Sequence, residues 1–155
     1  MTGNRADALA RLEVFVGEWV IEPRFPGDQQ PAPGDSPKGR SRFEWDLDRQ
    51  FLLQRTEIPV PEAPDSLMVV SADAQTGAYT QHYYDSRGVA RLYAMSLDDG
   101  VWTLTREVPD FTPLDFAQRF TGTFSADGNT ISGGWETGAD GGWRHDFDLT
   151  YRRVD

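Results

Sequence analysis

The chain contains no cysteine, which excludes disulfides, thiolate metal ligands and a cysteine nucleophile. It holds only two histidines, His82 and His145, so imidazole chemistry is confined to two positions. Basic residues are outnumbered: 15 Lys and Arg face 25 Asp and Glu, a formal charge of −10 at pH 7. A polyphosphate backbone is repelled by such a field, and nucleic acid is not an expected partner. Long apolar runs are missing too. The N-terminal stretch is interrupted by Arg11 and Glu13, and no window reaches the roughly 20 apolar residues of a membrane span. A soluble, unprocessed, cytoplasmic protein without membrane insertion is the expectation. Gly-x-Ser-x-Gly, His-Glu-x-x-His, P-loop and dinucleotide fingerprints are all absent. No spacing gathers His82, His145 and a carboxylate into a zinc site, and no metal is expected.

What is present is one domain's worth of core: 155 residues, 38% hydrophobic and 12% aromatic, read as a single domain over 1–155. Residues 1–16 form a helical segment, because Leu9, Leu12, Phe15 and Val16 recur on one helical face while Arg5, Asp7, Arg11 and Glu13 fall largely on the other. From Glu18 onward the hydrophobic period becomes two, with Asp-Gly, Gly-Gly and Pro punctuation roughly every ten residues. Ten strands are predicted, at 17–23, 39–48, 51–58, 67–73, 77–84, 88–97, 101–107, 116–125, 129–137 and 142–152. Residues 24–38, rich in Pro, Gly and Gln, read as a long flexible loop.

The fold class that follows is all-β: a ten-stranded antiparallel up-and-down barrel with one short N-terminal helix plugging its closed end. In such a meander the connections alternate between the two ends. The short ones (48–50, 74–76, 98–100, 127–128) fall at one end and the long ones at the other, so the barrel has a tight floor and a loop-framed mouth.

Hairpin turns set which side chains point inward. A two-residue turn at Asp99-Gly100 places Leu97 opposite Trp102 and Met95 opposite Leu104, bulky pairs that must face the core. Carried back through Asp85-Ser86-Arg87-Gly88, that register puts Arg91 and Tyr93 inward together with His82 and Tyr84; a bulged turn would instead move His82 and Tyr84 outward. The Asp127-Gly128 turn pairs Phe124 with Ile131, Phe120 with Trp135 and Gln118 with Thr137, leaving Arg119 and Glu136 as an outer ion pair. A three-residue loop Ala139-Asp140-Gly141 places Trp143, His145, Phe147, Leu149 and Tyr151 inward. The cavity is then an apolar floor beneath a polar collar. The candidate ligand-binding residues are His82, Tyr84, Arg91, Tyr93, Arg106, Gln118, Trp135 and His145. The two arginines lack inward carboxylates, so an anionic ligand group would balance them; tyrosine hydroxyls, carbonyls, water or loop acids such as Asp110 and Asp115 would also do so.

Gly17-Glu18-Trp19, following a short helix and opening the first strand of an all-β chain with arginines on its last strand, resembles the calycin group of lipocalins and fatty-acid-binding proteins. In length and strand count the chain looks most similar to the nitrobindin-like barrels and related bacterial families of unknown function. The resemblance implies a tryptophan at the closed end beneath a basic side chain from the final strand, here Trp19 under Arg152 or Arg153.

Three functions are compatible with these residues. The first is binding of a small, largely apolar, anionic ligand, lipid-like or an aromatic acid, with no cofactor. The second, implied by the resemblance, is haem held by His145 and acting on peroxynitrite or nitric oxide. The third is a cofactor-free enzyme in which His82 or His145 moves a proton and Arg91 or Arg106 stabilises an oxyanion.

Overall fold

A computed structural model describes residues 3–24, 38–59, 64–111, 113, 116–139 and 142–154. Most of the predicted loop 24–38 lies outside the described residues. The first element is helix α1, Gly3–Arg11, which tightens into a 3₁₀ turn at Leu12–Phe15. Ten strands follow: β1 Gly17–Arg24, β2 Gly39–Asp46, β3 Phe51–Glu57, β4 Ser66–Ala72, β5 Tyr79–Asp85, β6 Ala90–Asp98, β7 Val101–Arg106, β8 Ala117–Phe124, β9 Thr130–Ala139 and β10 Gly142–Arg153. Each pairs antiparallel with its sequence neighbour, and β1 pairs with β10 to close the barrel. The ten-stranded up-and-down architecture expected from the strand spacing is the observed one. No helix among the described residues is long and apolar enough to cross a membrane.

Local chemistry explains the registers. Asp99 and Gly100 both take left-handed backbone conformations, φ 50° and 77°, as a primed two-residue turn requires. That turn sets Leu97 opposite Trp102 and Met95 opposite Leu104. Across β8 and β9, Phe124 lies opposite Ile131, Phe120 opposite Trp135 and Gln118 opposite Thr137. Arg119 and Glu136 meet on the outer wall at 2.9 Å.

The tight end is sealed by the N-terminal segment. Ala8, Leu12, Phe15 and Trp19 are entirely buried there. The Phe15 ring stacks on Phe43 at 5.1 Å and meets the edge of Trp102 at 4.9 Å. Trp19 donates its indole N–H to the Phe15 carbonyl at 2.9 Å, and the Arg153 guanidinium lies 4.2 Å over the Trp19 ring. Arg153, rather than Arg152, therefore takes the basic position. Its two terminal nitrogens also donate to the carbonyls of Val16 and Val14, each at 2.7 Å, so the last strand holds the plug by its backbone.

Two paired glycines shape the wall beneath the cavity. Gly122 and Gly133 face each other across β8 and β9, and the Phe120 ring fills the space that side chains would take. A Cβ at Gly133 would stand 2.5 Å from Phe120 Cζ. Gly133→Ala is expected to overpack this point and cost about 1–3 kcal/mol, read as a lowered urea midpoint at unchanged slope.

Candidate ligand-binding cavity

Above the seal the barrel is hollow. Its interior encloses about 590 Å³, within the range of small-molecule pockets. Trp102, Leu104, Phe120 and Tyr151 form its floor, Met68, Gln81, Tyr93 and Trp135 its middle, and Tyr83, Arg87, Arg91, Gln118 and Asp146 its mouth. Aromatic rings run continuously from mouth to floor. Tyr83 meets Tyr93 at 6.3 Å, Tyr93 meets Trp135 at 5.7 Å, Trp135 meets Phe120 at 5.3 Å and Phe120 meets Trp102 at 4.9 Å. Such walls favour an apolar, flat or flexible ligand body.

Four of the eight residues picked from the sequence line this cavity: Arg91, Tyr93, Gln118 and Trp135. The Tyr93 hydroxyl donates to Gln118 Oε1 at 3.3 Å, tying two of them together. Burial pushes the Tyr93 hydroxyl pKa up, against the opposing pull of the Arg91 and Arg106 cations.

Of the other four, His82, Tyr84 and His145 face outward, and Arg106 is buried but already paired. His82 and Tyr84 sit on the outer wall, because Ser86, Arg87 and Gly88 form a bulged loop with Gly88 at φ 85° and pair Tyr83, not Tyr84, with Arg91. Gln81 and Tyr83 take the inward places instead. Tyr84 is 41% exposed.

His145 is also outside. Gly142 pairs with Ala139, so the connection is two residues rather than three, and this turns Trp143 and His145 outward. The Trp143 ring lies 4.3 Å from the Arg119 guanidinium on the outer wall, and the half-exposed His145 contacts Asp148 at 2.9 Å. A bulge between His145 and Phe147 then restores the expected inward set of Phe147, Leu149 and Tyr151, and adds Asp146 to the cavity mouth. Bulges commonly re-aim side chains beside binding sites. The conflict between a two-residue Asp-Gly turn and inward Phe147 was the available signal for it.

Arg106 is buried but occupied. Its guanidinium grips Asp110 through two hydrogen bonds, at 2.7 and 2.8 Å, with the two side chains only 3% and 2% exposed. Asp110 also accepts the Leu92 backbone N–H at 2.9 Å, so this pair pins the β7–β8 loop to β6. Arg106 is a clasp for that loop.

Because both histidines lie on the outer wall, the interior does not fit a histidine-ligated haem, and the proton-transfer reading loses the base assigned to it. No cluster of potential metal ligands occurs among the described residues.

At the mouth, Arg87 is balanced by a neighbouring carboxylate. Asp85, its side chain fully enclosed, accepts from the Tyr83 hydroxyl at 2.8 Å and from Arg87 Nη2 at 2.6 Å. Arg91 stands apart. It makes no ion pair among the described residues, and its Nε is buried without a hydrogen-bond partner. Gln81 Oε1 and Trp102 Nε1, on two other cavity-lining side chains, are likewise buried and unpartnered.

No family model matches the chain, and no curated protein matches it. Among solved structures it is similar to Rv2717c from M. tuberculosis, with a TM-score of 0.59 and 13% identity over 96% of this chain and 98% of that one. At that identity the likeness shows the barrel fold.

Burial raises the Asp85 pKa, but hydrogen bonds from Arg87, Tyr83 and the backbone N–H groups of Arg87 and Val89 outweigh it and hold the carboxyl down at about 2. A lowered folded-state pKa stabilises the fold above the unfolded value of 3.8 and loses that contribution as pH falls through about 2. Denaturant midpoints of wild type and Asp85→Asn are therefore expected to differ at pH 6 and to converge toward pH 2.

Proposed function

We propose that this protein is a calycin-like, cytoplasmic binder of a small, largely apolar anion, held with its body against the aromatic walls and its anionic group on Arg91. The observation that carries this reading is Arg91 itself: a cavity-lining guanidinium with no ion pair among the described residues and a buried, unpartnered Nε. Partial burial of an unpaired cation costs free energy that a ligand carboxylate offsets through charge-assisted hydrogen bonds. Gln81 Oε1 and Trp102 Nε1 supply one acceptor and one donor deeper in the cavity. These suit a ligand bearing a polar substituent or an ordered water alongside it.

Isothermal titration of 4-phenylbutyrate and dodecanoate tests this directly. Wild type is expected to bind at least one of them more tightly than the corresponding alcohol, and Arg91→Gln to weaken that binding about tenfold or more. Equal affinity in wild type and Arg91→Gln would overturn the reading. Arg106→Gln should behave differently, lowering thermal stability because Asp110 is left buried without its guanidinium, by about 3–5 kcal/mol.

A further inference from the structure

The mouth of the cavity carries charges of both signs, and the protein neutralises most of them itself. Arg87 is matched to Asp85 and Arg106 to Asp110, each through close ion pairs. Among the described residues that line the cavity, two charges are without an ion pair: the half-buried Arg91 and the exposed Asp146. Arg91 on β6 and Asp146 on β10 both line the cavity, and neither makes an ion pair among the described residues, with each other or with any other group. Following the barrel order, β10 and β6 are separated by β9, β8 and β7, so the two side chains approach the cavity from different walls.

Asp146 and Phe147, neighbours in sequence, both face the cavity because of an irregularity. Regular alternation along β10 would not bring it into line with Phe147 and Leu149; the bulge between His145 and Phe147 makes it the extra residue of the strand. A simple monoanion seated on Arg91 leaves the Asp146 carboxylate at the mouth unanswered. A ligand bearing a protonated nitrogen beside its carboxylate answers both charges at once.

We infer that the cavity takes a zwitterionic ligand of the amino-acid type, its carboxylate on Arg91, its ammonium on Asp146 and its apolar side chain against the aromatic floor. This rests on the anion reading of Arg91 and narrows it to one chemical class. No covalent step is involved.

Three ligands with one apolar body separate the possibilities: 4-phenylbutyrate, which is only an anion; 2-amino-4-phenylbutyrate, a zwitterion; and 3-phenylpropylamine, only a cation. Isothermal titration is expected to rank the zwitterion first on wild type, about tenfold tighter than 4-phenylbutyrate. Asp146→Asn should remove that preference while leaving 4-phenylbutyrate bound at least as tightly as before. Asp146→Ser serves as a second variant with the same expectation, and the wild-type ranking tests the inference even without a variant. If 4-phenylbutyrate binds wild type as well as or better than the zwitterion, or if the preference survives at Asp146→Asn, the zwitterion inference is overturned and the anion reading stands. If none of the three binds while dodecanoate does, the zwitterion inference alone falls; if dodecanoate fails as well, or 3-phenylpropylamine is the one ligand that binds, both fall.

Discussion

Closure between β1 and β10 is the constraint on which everything else in the molecule rests. Pairing from Trp19 with Arg153 to Arg24 with Asp148 removes the two free edges a ten-stranded sheet would otherwise expose. It also brings the end of the chain against its beginning. Arg153 lies over Trp19 and bonds the carbonyls of Val14 and Val16, so one side chain of the last strand fixes the 3₁₀ turn across the barrel floor. With the floor closed by Leu12, Phe15 and Trp19, the volume above is walled by strands on every side. A hollow of this size persists because the hydrogen-bonded wall, not close packing through the centre, carries the structure.

The same economy of charge governs the mouth. Buried or half-buried guanidinium groups are costly unless matched, and the matching here is local: Arg87 with Asp85 two residues away, Arg106 with Asp110 four residues away. These pairs order the β5–β6 turn and the β7–β8 loop, the segments framing the opening. Arg91 and Asp146 fall outside that scheme, which separates residues that build the mouth from residues with capacity left for a ligand.

How much of this was legible in the chain depended on the turns. Where a hairpin turn has an unambiguous backbone requirement, as at Asp99-Gly100, the facing of every residue on both strands followed, and Leu97, Trp102, Met95 and Leu104 lie where the turn places them. Where a single residue more or less in a loop was compatible with the same composition, an error of one position reversed the face of the flanking residues. That is what exchanged Gln81 and Tyr83 for His82 and Tyr84, and set Trp143 and His145 outside. Four of the eight candidate residues keep their expected inward facing because the β6–β7 and β8–β9 hairpins close in well-specified turns. The errors of facing lie on β5 and β10, beside a bulged loop and a strand bulge, whereas Arg106 on β7 faces inward as expected and is taken up by Asp110.

By itself, then, the sequence determined the architecture, the sealed and open ends, and the apolar floor. Those follow from hydrophobic period, strand count and turn chemistry, all local along the chain. Only the tertiary structure decided which polar groups are free to meet a ligand. Arg106 and Arg91 both alternate inward on their strands, and what makes Arg106 a loop clasp is that Asp110 folds back onto its guanidinium. Strict alternation with Phe147 and Leu149 would turn Asp146 outward; the shorter β9–β10 connection and the bulge that follows it make it part of the lining. The hollow barrel inferred from the strands has thereby acquired two charges, Arg91 and Asp146, without ion pairs among the described residues, because electrostatic pairing depends on distances across the fold that alternation along a strand does not encode.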